Sequence, residues 1–312
     1  MPIHIQTPLI ESDAFSTPDQ RIWLKLEALQ PSGSFKLRGV GHAREVYAAR
    51  GAHRLLSSSG GNAGLAVAYA GRRLGLPVVV VVPESTREWP KMLIRRQGAE
   101  VVVHGKSWME ANEYLMTMRL PTDAFIHPFD APLLWEGHAT MIAEAASQGP
   151  KPDIVVLSVG GGGLMCGVLH GMHAMGWQDV PLVAVETVGA DSLNAAVAAG
   201  HLVTLEAITS MATSLGARRV SERAFEWTKQ HEVIATTVTD DEAVRACLDI
   251  ADEHRLVVEP ACGAAVAAAM RRNAGVLRTA ANVLIVLCGG ASTRYCDLQA
   301  LAFPSPAATS SL

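Results

Sequence analysis

The chain has 312 residues, 49% of them hydrophobic and 18% charged, with a formal net charge of −4, which excludes a disordered chain and suffices for one large or two modest buried cores. Acidic residues outnumber basic ones, 30 to 26, and the apolar runs are far shorter than a bilayer, so neither nucleic acid nor a membrane is an expected partner. Five dispersed cysteines (Cys166, Cys247, Cys262, Cys288, Cys296) read as free thiols of a reducing cytoplasm, and Met1–Phe15, with Glu11 and Asp13, lacks an apolar signal core.

Strands are predicted at Ile22–Glu27, Arg54–Ser57, Pro77–Val82, Glu100–Val103, Ile154–Ser158, Leu182–Glu186, Glu232–Val238 and Asn282–Leu287, with helix-favouring segments between them. Val78–Val82 and Ile154–Leu157 are apolar throughout, as suits parallel strands covered on both faces. The alternation predicts an α/β fold of parallel-rich, twisted sheets covered by helices. No linker decides between one broad sheet and two smaller ones. Residues 304–312, rich in Pro, Ser, Ala and Thr, read as a disordered tail. Ligands of such folds bind beyond the carboxyl ends of strands, so four strand-to-helix junctions carry the functional reading.

The first junction is Pro31–Gly39, where Ser34 reads as a helix N-cap and Lys36 falls in the first turn. A cation there opposes the helix dipole, and burial lowers a lysine pKa towards a nucleophilic amine. The bland alternative is a solvated helical lysine. The second, Ser57–Gly64, gathers hydroxyls, free amides and the Asn62 amide at a predicted helix start, a constellation suited to a carboxylate. An ordinary serine cap competes, although one serine would serve for that.

In the third junction, Gly160–Gly163 separate an apolar strand from the helical stretch Leu164–Ala174. Four ordered glycines each cost roughly 0.5–1 kcal/mol relative to alanine, so a plain flexible turn is the weaker reading and a backbone phosphate cradle the stronger. No Gly-Lys-Ser/Thr follows, which excludes a P-loop, and the poor fit to G-x-G-x-x-G disfavours a dinucleotide fingerprint. The fourth, Cys288-Gly289-Gly290, ends a strand and alone reads as a structural cysteine. His170 and His173 read as ordinary helix positions and not as a zinc site. Glu259-Pro260 reads as a helix start, and Trp135-Glu136-Gly137-His138 has no derivable role.

In this order and spacing, S-x-F-K-x-R-G, S-x-G-N-x-G, the glycine run and C-G-G resemble the fold-type II pyridoxal-phosphate enzymes, the tryptophan synthase β-like fold. Leu26–Arg38, Trp135–His138, Ser158–Gly167 and Val258–Ala264 narrow the resemblance to the liver-type L-serine dehydratase/L-threonine deaminase family, over about Thr7 to Leu301. It implies two domains, residues 1–30 with 131–303 as the large cofactor-binding domain and 31–130 as the small one. Lys36 matches the Schiff-base lysine and Phe35 the residue on one face of the pyridine ring. Ser59, Gly60, Gly61, Asn62, Ala63 and Gly64 match the substrate-carboxylate loop, with Asn62 also reaching the ring's phenolic oxygen. Gly160, Gly161, Gly162, Gly163 and Leu164 match the phosphate loop, and Cys288 the residue facing the ring nitrogen. Gly160, Glu186, Ala190, Leu215 and Ala217 fall where the family binds a monovalent cation such as K+.

Gly60 and Ser214, the latter on the other ring face, match the serine dehydratase-like branch, and Ser292 stands where the family usually has asparagine. The resemblance implies a cytoplasmic, homodimeric enzyme of amino-acid catabolism. It would eliminate water from L-serine to give pyruvate and ammonia, and from L-threonine to give 2-oxobutyrate and ammonia. Lys36 would act as general base on Cα–H. The chain ends without the regulatory domain of biosynthetic threonine deaminases, so no feedback inhibition by isoleucine is expected. Two alternatives stay open: another activity of the fold (serine racemisation or cysteine-synthase-like β-replacement), and a catalytically silent binding protein.

Overall fold

Unbroken runs of β-branched residues such as Val78–Val82 fit only where helices cover both faces of a sheet, and that run is buried at every position. The computed structural model describes residues 2–272 and 275–303, so the predicted tail at 304–312 lies outside the described residues. Its strands are β1 (Leu9–Glu11), β2 (Arg21–Lys25), β3 (Arg54–Ser57), β4 (Val78–Val82), β5 (Glu100–Val103), β6 (Asp123–Phe125), β7 (Ile154–Ser158), β8 (Leu182–Thr187), β9 (Val233–Val238) and β10 (Asn282–Val286). The helices are α1 (Lys36–Ala49), α2 (Asn62–Leu74), α3 (Glu88–Arg96), α4 (Trp108–Thr117), α5 (Pro132–Gln148), α6 (Gly163–Ala174), α7 (Ser192–Ala199), α8 (Glu222–Gln230), α9 (Asp240–His254), α10 (Pro260–Met270) and α11 (Tyr295–Ala302).

Two sheets form: six strands in the order β1-β2-β10-β7-β8-β9, and four in the order β5-β4-β3-β6. Every pairing is parallel except β1 with β2, where Leu9 faces Lys25. The parallel-rich α/β class is therefore the one the strand pattern predicts. β1 and β6 are additions to that pattern; each has three residues, and neither carries an apolar run long enough to register as a strand. The strand expected to reach Glu27 stops at Lys25, because Glu27–Leu29 winds into a 3-10 turn.

α1 has a different start from the one expected. Its N-cap is Phe35 and not Ser34, whose buried hydroxyl has no partner. The Ser34 backbone instead bridges Gly289, and Phe35 N–H donates to Cys288 O at 3.1 Å. The α2 and α6 helices begin earlier than expected, at Asn62 and Gly163. α1 crosses α5 at very close range: a Cβ on Gly39 would lie 2.5 Å from His138 Cε1, and one on Gly137 the same distance from the Arg38 carbonyl oxygen. The glycines of both motifs thus serve one helix crossing.

One hydrophobic core fills the six-stranded sheet and its helices, including Ile22, Val156, Met165, Val185 and Ile285. A second joins α1 and α2 to the four-stranded sheet through Leu37, Val40, Leu55, Val67 and Val80. His173 pairs with His231 (Nε2 to Nδ1, 3.2 Å) and meets Trp227 edge-on, a packing role. Among the described residues no three His, Cys, Asp or Glu side chains converge as a metal site, and no helix is long and apolar enough to cross a membrane.

Candidate active site

Lys36 sits on the seam between the two cores: Phe35 packs into the large one and Leu37 into the small one. As first residue of α1, it has its amine 2.7 Å from the Pro128 carbonyl, to which it donates. Desolvation pulls the Lys36 pKa down from 10.5 to about 8, against the opposing influence of Cys288 and Glu259. A useful fraction of free amine therefore exists near neutral pH. The Pro128 carbonyl is itself held in place by His127, whose Nδ1 accepts from Phe129 N–H at 3.2 Å and Asp130 N–H at 2.7 Å. Burial, then the nearby Lys36 charge, lowers the His127 pKa to about 4, so this imidazole stays neutral and remains an acceptor.

Phe35 meets His138 edge-on at 4.9 Å between ring centroids. His138 Nδ1 accepts the Gly39 N–H at 3.2 Å, one of the amides in the first turns of α1 that lack regular helical partners. Burial holds its pKa well below 6.5, with Lys36 and Arg38 adding to the effect. The W-E-G-H segment thus acquires a role that its sequence does not show.

Two helix N-termini face the same region. At α2, Gly61 is the N-cap and the amides of Asn62, Ala63 and Gly64 open the helix without intrahelical acceptors. Ser59 is half-buried, its Oγ accepting the Gly61 N–H at 3.3 Å. A Cβ on Gly64 would stand 1.8 Å from the Ser59 carbonyl oxygen, so that turn demands glycine. At α6, Gly162 is an N-cap at φ +91°, and Gly163, Leu164 and the next residue present their amides. A Cβ on Gly161 would fall 2.3 Å from the Phe129 ring, next to the carbonyl that holds Lys36, whereas Gly160 backs onto Ser214 O and Leu215. Ser214 itself is exposed.

Cys288, two residues past β10, is buried; the neighbouring Cys262 thiol and desolvation push its pKa well above 9, so it is a neutral thiol. Near the end of β8, the fully buried Glu186 accepts the Leu193 and Asn194 N–H groups at 2.9 and 2.7 Å, at the start of α7. Desolvation lifts its pKa to about 8. Ala190 folds back onto Thr187 beside it, and Ala217 N–H donates to Leu215 O in the loop that Gly160 touches.

The structure also shows a residue the sequence reading treated as structural. Glu259, 4% exposed, accepts Asn62 Nδ2–H at 2.7 Å and Ser292 Oγ–H at 2.6 Å. These partners are 197 and 33 residues away along the chain, so no local pattern announces them. His127, Pro128 and Phe129 were equally silent in the sequence.

A buried amine of lowered pKa, glycine amides at a helix start, a neutral thiol and unpartnered buried hydroxyls at Ser34 and Ser58 form a donor set that fits pyridoxal phosphate. Comparison with known proteins agrees. Residues 1–289 match the family model described as pyridoxal-phosphate dependent enzyme. A serine dehydratase-like protein of Rattus norvegicus is 46% identical over 96% of this chain and 94% of its own length. An L-serine dehydratase/L-threonine deaminase of Mus musculus is 42% identical over 96% and 95%. The solved structure of a fungal L-serine ammonia-lyase from Rhizomucor miehei superposes with a TM-score of 0.88 at 31% identity, covering 96% of this chain and 98% of that one. With four glycines at one helix start and a desolvated lysine at another, this chain belongs to the pyridoxal-phosphate dependent enzyme family.

Proposed function

We propose that the protein is an ammonia-lyase that removes water from L-serine and L-threonine, releasing ammonia with pyruvate or 2-oxobutyrate. The observation that carries this reading is Lys36, a desolvated amine on the seam between two cores, beside a glycine-amide cradle and a neutral thiol. Pyridoxal phosphate, when bound, supplies an electron sink that acidifies the substrate Cα–H. The chain's residues do the rest. Lys36 would hold the cofactor, and its free amine, with a pKa of about 8, is matched to taking the Cα proton. Amides of Gly160–Gly163 and Leu164 receive the phosphate at the α6 N-terminus. Ser59 Oγ and the Gly60–Gly64 amides hold the substrate carboxylate and so fix where Cα–H points. Phe35 and Ser214 would lie against the ring, and the neutral Cys288 thiol would leave its nitrogen without the charged partner that deepens the sink.

A division into a large domain (1–30 with 131–303) and a small one (31–130) belongs to the same proposal, supported by the presence of two sheets, each with its own core. Gly160, Glu186, Ala190, Leu215 and Ala217 are proposed to hold a potassium-like cation, which would balance the buried Glu186 charge. A homodimer, a cytoplasmic location, supported by five free cysteines, and a role in amino-acid catabolism complete the proposal.

The test is incubation of the purified holoenzyme with L-serine, L-threonine and their D-isomers, measuring keto acid, ammonia and chirality. Keto acid and ammonia from the L-isomers are expected. Formation of D-serine from L-serine faster than pyruvate would overturn the assignment in favour of a racemase, and absence of any visible cofactor band would favour a silent binding protein.

A further inference from the structure

We propose that Glu259 is a positioning residue that fixes the side-chain amide of Asn62, and through it the hydrogen bond offered to the cofactor's phenolic oxygen. The inference rests on the function proposed above and on the resemblance, which implies that contact for Asn62. Glu259 is the N-cap residue of α10, yet its side chain caps nothing there. The carboxylate turns away from its own helix and reaches the start of α2, across the seam between the sheets.

The geometry leaves the amide no freedom. Asn62 Nδ2 donates to Glu259 Oε1 at 2.7 Å while Asn62 Oδ1 accepts the Ala291 N–H at 2.9 Å. Rotating the amide by half a turn would set an oxygen against a carboxylate and an NH2 against an N–H, two repulsive contacts for two lost bonds. One Nδ2 hydrogen stays unused, and its direction is thereby determined. Glu259 is held in turn by Ser292 Oγ–H at 2.6 Å on its other oxygen. Gly290 makes the approach possible: at φ +131°, a Cβ there would lie 2.1 Å from Glu259 Cδ. Donors from the α3 side, Arg87 to Ser292 O at 3.0 Å and Trp89 to Ala291 O at 3.1 Å, keep the receiving loop in place. This also accounts for Ser292: its short hydroxyl donates to a carboxylate already committed to Asn62.

The experiment is a double-mutant cycle on pyridoxal phosphate affinity, measured by titration of apo-protein, with Glu259→Asp, Asn62→Ala and their combination. Aspartate keeps the charge but is too short to span both partners, so Glu259→Asp should weaken binding about tenfold. The combined variant should be no weaker than Asn62→Ala alone, because both changes remove one contact. In the loaded protein the pH midpoint of the visible band should rise in Glu259→Asp, since losing a donor to the phenolic oxygen disfavours its anion while the carboxylate charge stays. Additive losses, or an unmoved midpoint, would overturn the proposal and leave Glu259 a structural strut. If Glu259→Asp does not fold, Glu259→Leu, which removes the acceptor altogether, enters the same affinity cycle with the same expectation. Failure of the functional reading looks different: apo-protein would not bind pyridoxal phosphate, or Asn62→Ala would leave affinity unchanged, and the proposal would fall with it.

Discussion

Arg38 meets Glu27 in a two-pronged ion pair, Nε and Nη2 each 2.7 Å from a carboxylate oxygen, with both side chains sealed from solvent. The guanidinium also reaches Glu144 through Nη1 at 2.7 Å and Nη2 at 2.6 Å, and Glu144 takes the Lys25 amine at 2.7 Å. Two residues after Lys36, this cluster anchors α1 to the large core. Removing one partner strands a buried charge, so Glu27→Gln should cost about 3–5 kcal/mol of stability, read from urea denaturation. A loss below about 1 kcal/mol would mean the charges are reached by water.

The second expectation concerns pH. The neutral Lys36 amine forms above its folded pKa of about 8, so apo-protein should take up pyridoxal phosphate faster as pH rises, with a midpoint near 8. Stability follows the same sign. The folded-state pKa lies below the unfolded value of 10.5, so the burial penalty is full below about 8 and fades as pH climbs to 10.5. Apo Lys36→Met should therefore melt above the wild type at pH 7, by a margin that shrinks through that window. Borohydride reduction and peptide mapping of the holoenzyme should place the pyridoxyl group on Lys36; another lysine would refute the assignment.

Third, the phosphate cradle cannot be probed with indiscriminate substitutions. Gly162 lies at φ +91° with Ala224 Cβ 2.3 Å from where its own Cβ would be, so Gly162→Val should lower apo-protein melting as well as cofactor affinity. Gly161 is not in the left-handed region, and the nearest atoms to a Cβ there belong to the Phe129 ring. Gly161→Ala should weaken cofactor retention with a smaller fall in melting temperature, checked by calorimetry beside cofactor titration.

Fourth, Ser59→Ala should raise KM for L-serine roughly ten- to a hundredfold, the value of a hydrogen bond to a charged group at about 1.5–3 kcal/mol. The turnover number should fall too, because the contact orients Cα–H; a change confined to KM would show that Ser59 contributes only uniform binding.

How much of this was legible in the sequence differs from element to element. β4 and β7 were readable because a strand buried on both faces must be apolar at every position. β1 and β6 were not, since three residues with partial exposure impose no periodicity. The four junctions could be located because glycine and lysine at helix starts contradict local propensity and so need a reason. Ser34 misled as a cap, since Ser34 and Phe35 are tied to Gly289 and Cys288, a pairing across some 250 residues that no local rule contains. Glu259 escaped for the same reason, as its partners meet it only in space.

The order of strands in the larger sheet has a bearing on synthesis. β2 lies between β1 and β10 in the sheet, and β10 is the last strand among the described residues. As the chain leaves the ribosome, β2 and β7 must each wait for β10 to fill the gap between them. The segment that carries the lysine after β2 and the one that carries the thiol after β10 cannot pair until residue 288 has emerged, so the site is completed only when nearly all of the larger sheet has been made.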